Sequence, residues 1–173
     1  MLRHRVMPGR AMDLSPLHLH LMLNHVPVLG TIAVALVLGI GLRRRSRELV
    51  RLGLGLTVLV SLVTVPVYLT GDPAEDALRE FDPSVDRKLI HEHEEKAEVG
   101  FIAVLATGAL ALGALWWGRT PDDVRRGAPA LVCAALLVCF GLFALAALVG
   151  GRIRHPELRA PGTASAPAPP SGD

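Results

Sequence analysis

Four long apolar runs constrain what this chain can fold into. They cover about Leu17–Leu42, Leu49–Gly71, Ala97–Gly118 and Gly127–Gly151. A helix needs roughly 20 apolar residues to cross the hydrocarbon core of a bilayer, and each run is near that length. A helix of a water-soluble domain would carry an apolar stripe with polar residues opposite it. Of the 173 residues 51% are apolar, and the charged ones gather between the runs. The chain is therefore expected to be an all-α integral membrane protein in contact with a lipid bilayer. Its short connections favour an up-down-up-down four-helix bundle. A flexible N-terminal tail (1–15) should precede the transmembrane domain (16–158), and a Pro/Ala-rich disordered tail (159–173) should follow it.

Charge sets the expected orientation. Loop one, Arg43–Arg51, holds five arginines and one glutamate, and loop three, Arg119–Arg126, holds three arginines and two aspartates. The helical loop two, 72–96, holds nine acidic and four basic residues. The positive-inside rule puts loops one and three in the cytoplasm of a bacterial inner membrane. Loop two and both termini then face the periplasm. The net charge of +2 comes from short loops and implies no nucleic-acid partner.

Prolines and glycines punctuate the runs. Ser15-Pro16 reads as an N-cap and first-turn proline, Pro27 as a kink in helix one, and Pro66 as a kink in helix two with Gly71 as its C-cap. Asp72-Pro73 starts a new helix that ends near Phe81. Helix three should begin near residue 84 and project well beyond the lipid, and helix four should end at Gly150-Gly151. Cys133 and Cys139 have no metal or redox spacing and read as small core residues.

Six of the seven histidines fall at one end of such a bundle: His18, His20, His25, His91, His93 and His155, with His4 in the tail. His18 and His25 are seven apart, so on one helix they share a face about 10 Å apart along the axis. Ionisable groups at membrane depth usually mark function. His20 and His91 read as wet surface, whereas His18, His25, His93 and His155 form the candidate set.

Neutral imidazole is an axial ligand for haem iron and a ligand for copper and zinc. For haem b, His25 would face His93 or His155, with Arg152 and Arg154 at the propionates. Small residues at Ala97, Gly100, Thr107, Gly108 and Ala111, and at Gly141, Ala144, Ala147 and Gly151, serve helix packing or leave a slot for a flat ring. A bare copper or zinc site would draw on His18, His25, His93, His155 and Glu94. Glu98 could carry a proton or orient a histidine. His91 with Glu94 resembles half of a di-iron pair, but the other helices lack the matching carboxylates. No nucleophile–base triad, phosphate loop or nucleotide fingerprint appears, so no reaction is named.

Several motifs occur together: HLxLNHxPxxG at His18–Gly30, YLTGxxAE at Tyr68–Glu75, HEExA at His93–Ala97 and GGxIRHxE at Gly150–Glu157. As a set they resemble the DUF2231 type of small four-helix bacterial membrane protein, over roughly residues 17–158. The resemblance implies a haem-binding bundle. It singles out His18, Asn24, His25, Glu75, His93, Glu94 and His155, with Asn24 and Glu75 as supporting partners. The leading expectation is a haem b protein that moves electrons near the outer face, with quinol or with a respiratory or periplasmic redox protein. The alternatives are a copper- or zinc-binding membrane protein for uptake or sensing, and a cofactor-free structural or assembly subunit.

Overall fold

The computed structural model describes residues 16–82, 85–117 and 127–155. They form six helices: α1 (Pro16–Leu23), α2 (His25–Arg44), α3 (Arg47–Leu69), α4 (Gly71–Phe81), α5 (Arg87–Trp117) and α6 (Gly127–Arg154). The described residues are helical with short turns, and four rods, α1–α2, α3–α4, α5 and α6, are long and apolar enough to span a membrane. The predicted tails, loop three and the Ser15 cap lie outside the described residues.

α2 packs on α3 and α6, α3 also on α5, and α5 on α6, which closes a ring of four helices. α1 stands apart from that ring and packs chiefly on α4, so the two form a cap at one end. Leu38, Val104, Val132, Leu136 and Cys139 fill the middle. Leu38 is 0% exposed, while Leu148 is 64% and Trp117 84% exposed. Large apolar side chains thus cover the outside as well as the inside. A water-soluble surface does not leave so many together.

Buried hydroxyls in the middle turn back on their own helices. Thr57 donates to Gly53 O at 2.8 Å, Thr64 to Val60 O at 2.8 Å and Thr107 to Ala103 O at 2.7 Å. Small residues bring the helices together. A Cβ at Gly53 would lie 3.0 Å from Leu38, and one at Gly108 would overlap Ser61. Cys139 is buried and Cys133 half-buried, both free, in keeping with core packing.

Three element boundaries differ from the sequence expectation. The break in the first rod falls at Asn24, one turn before Pro27. A helical proline ring clashes with the carbonyl four residues back, here that of Leu23, and gives it no N–H partner. Gly71 does not cap α3: Thr70 does, with φ −87°, and Gly71 opens α4. Gly150 and Gly151 do not stop α6, which runs on to Arg154. The stop falls just before Pro156, whose predecessor, His155, is disfavoured in helical geometry.

Candidate functional site

The site is built where the cap meets the ends of α5 and α6. α1 is only two turns long, ends at the turn residue Asn24, and packs chiefly on α4. His20 thereby reaches the α3–α4 junction. Its Nδ1 lies 3.1 Å from Thr70 Oγ1. Thr70 already donates its hydroxyl proton to Val67 O at 2.8 Å. Thr70 therefore accepts, and His20 Nδ1 carries the proton. Gly71 sits below the ring, and a Cβ there would be 4.0 Å from it.

His93 meets the end of α6. Its Nδ1 is 2.8 Å from Ala146 O, an atom that can only accept, so Nδ1–H donates. The ring lies against Gly150, where a Cβ would come within 3.1 Å of the imidazole. His93 is close enough to His20 for their charges to interact. Both half-buried imidazoles are thus held through Nδ1 to an oxygen, and His20 makes a further hydrogen bond to the Val67 backbone. An oxygen that fixes the Nδ1–H in this way selects the tautomer and orientation of a ligating histidine.

A carboxylate pair links α4 to α5. Glu75 of α4 and Glu94 of α5 lie within hydrogen-bonding reach of each other. That contact, followed by burial, pushes Glu75 above the usual carboxylate range, while Arg79 pulls the other way. Arg79 pairs with Glu75 one helical turn away. On the neighbouring face of α5, His91 is 73% exposed and pairs with Glu95 at 3.3 Å and Glu94 at 3.8 Å, which fits its reading as surface.

Asn24 closes the constellation. Its backbone N–H follows the helix to His20 O at 2.9 Å, but its side-chain Oδ1 is buried without a hydrogen-bond partner among the described residues. Buried acceptors are rarely left in that state, so this atom marks an incomplete polar site.

Several predicted site residues lie elsewhere. His25, read as the deep ligand, is exposed, and its Nδ1–H goes to Leu21 O at 3.2 Å. His18 is exposed as well, so the spacing of seven does not define an inward face. Glu98, Arg152 and His155 are also exposed. Arg154 closes α6, and its side chain lies outside the described part of the structure. Among the described residues no three His, Cys, Asp or Glu side chains are grouped to hold a metal ion. The set His18, His25, His93, His155 and Glu94 therefore does not converge as a bare copper or zinc site.

The small-residue stripes are filled rather than open. A Cβ at Gly100 would be 2.9 Å from the Phe143 ring, Gly108 receives Ser61, and Gly150 receives His93. They leave no slot for a flat ring at those three positions. The residues that sequence reasoning passed over are His20 and Thr70. No local signal marks them, because the contact joins residues fifty positions apart. No family model, curated protein or solved structure matches the chain, so its likeness to the DUF2231 type rests on the motifs alone.

Proposed function

We propose that this chain is a multi-pass protein of the bacterial inner membrane, an up-down-up-down bundle whose capped, periplasmic end binds haem b for electron transfer. The observation that carries the reading is the pair His20 and His93. They stand on different helices within electrostatic reach, each ring held through Nδ1 to an oxygen. Imidazoles are donors that haem iron takes, so His20 and His93 would be the residues to hold it. The unpartnered Asn24 Oδ1 beside His20 fits a site that is complete only with a further group in it. Such a haem would belong between the cap and α5, because the stripe below is packed with Phe143 and Ser61.

When bound, haem b supplies one-electron chemistry between its ferric and ferrous states. The rest is done by this chain's residues. Thr70 and the Ala146 carbonyl hold the two rings through Nδ1. Glu75 and Glu94 keep a proton at the edge of the site, where it can balance a change of charge nearby. Arg152, exposed two residues beyond Gly150, supplies positive charge for propionates. Electrons would be exchanged with quinol or with a periplasmic redox protein.

The test is an absorption spectrum of detergent-purified protein, oxidised and then dithionite-reduced, after expression with ample haem precursor. A Soret band with sharp reduced α and β bands is expected, lost or shifted in His20→Ala and His93→Ala and kept in His25→Ala. A colourless wild type, or a spectrum that needs His25 and ignores His20, overturns the reading.

A further inference from the structure

The opposite end of the bundle carries a second feature, unconnected with the histidines. Arg43 and Arg44 lie in the last turn of α2, Arg45 forms its C-cap, and Arg47 and Arg51 open α3. All five are exposed. Glu48 is the only acid among them, and the salt bridges among the described residues involve none of the five. Five unpaired guanidiniums are therefore held within nine residues.

The turn that carries them is tightly built. Arg45 is left-handed, φ 55° and ψ 30°, and its N–H and that of Ser46 return to Gly41 O and Leu42 O. Ser46 Oγ accepts from Leu49 N at 3.3 Å and caps α3. A Cβ at Gly41 would be 2.9 Å from Val50 N, so the two helices touch at backbone distance. Exposed apolar side chains, Ile40 and Leu52, flank the arginines on the side of the bundle. Guanidinium groups pair with phosphate oxygens through parallel N–H donors, and clusters of basic residues beside a membrane span attract anionic headgroups.

We propose that the α2–α3 turn is a binding site for anionic phospholipid, with the phosphate headgroup among Arg43, Arg44 and Arg47 and the acyl chains against Ile40 and Leu52. The site rests on the membrane-spanning reading and is independent of the haem. It does more than orient the chain: it holds particular lipids at one end of the bundle.

Native mass spectrometry of the detergent-purified full chain, mixed with equal amounts of phosphatidylglycerol and phosphatidylcholine, tests it. Wild type is expected to retain phosphatidylglycerol preferentially. In R43Q/R44Q/R47Q, which leaves the left-handed Arg45 in place, that preference should fall at least about tenfold. R43Q/R51Q should show a smaller loss in the same direction, and serves if the triple variant loses helicity. Equal retention of the two lipids by wild type, or an unchanged preference in both variants, overturns the headgroup site and leaves the membrane reading standing. Retention of neither lipid likewise overturns the headgroup site.

Discussion

In the middle of the bundle a buried hydroxyl bonds to its own helix, whereas at the capped end a buried polar group reaches a different one. Thr57, Thr64 and Thr107 each bond four residues back, while the thiols of Cys139 and Cys133 make long contacts across helices, 3.5 Å each, with Thr107 and Ala35 O. His20 depends on Thr70, fifty residues away, and His93 on Ala146, fifty-three residues away. Glu75 depends on Glu94 across two helices. The middle can therefore exclude water while its polar groups place few demands on neighbouring helices. The capped end is specified by bonds between helices, so it can be disturbed by changes that leave the four rods intact. The unpartnered Asn24 Oδ1 also lies at that end.

The largest effect is expected where the middle is tightest. Gly108→Val puts a side chain where Ser61 already lies. Overpacking of this kind costs about 1–3 kcal/mol. The midpoint of thermal unfolding in detergent should fall clearly, and an unchanged midpoint would mean that α3 and α5 are not held as close as described.

A matched pair of substitutions sharpens the contrast between the two regions. Thr70→Val leaves the Nδ1–H of His20 without its acceptor, a loss of about 1–3 kcal/mol for a half-buried donor. Thr57→Val removes a hydroxyl that serves only its own helix, and should change stability by roughly 0.5 kcal/mol or less. Chemical denaturation of both variants checks the order. Equal losses would erase the distinction between self-satisfied and cross-helix groups.

The smallest effect is a pH dependence confined to the cap. Glu75 has its folded-state pKa raised, chiefly by the hydrogen bond with Glu94. Its contribution is therefore fully present below the unfolded carboxylate value and is lost as pH rises through the folded one. Amide hydrogen exchange in α4 should quicken as pH rises through that window, beyond the intrinsic pH trend, while α3 shows only that trend. In Glu94→Gln the amide can donate to Glu75 without a shared proton, and the extra dependence should flatten. The same excess in α3 and α4 would show that the pair does not act locally.

Much of the fold was legible because apolar runs of this length have few alternatives. The four rods, the α4 segment after Asp72-Pro73 and the long polar start of α5 all follow from run length and punctuation. The site was legible only in part. His93, Glu94, Glu75 and Asn24 were singled out by motif, and the structure gathers them at one end. His20 reads as wet surface and lies outside the motif, and His25 reads as the deeper ligand, whereas the structure has His20 half-buried and His25 exposed.

The sequence by itself determined the all-helical class, the four candidate spans and the concentration of histidines at one end. Those features depend on hydrophobic length and on position along the chain, which are local. Only the tertiary structure decided which histidines come within electrostatic reach of each other, which oxygen holds each ring, and that Gly100 and Gly150 receive a phenyl and an imidazole. Those outcomes depend on where two helices cross and on the rotation of each about its axis. Neither is set by the apolar pattern of one helix alone.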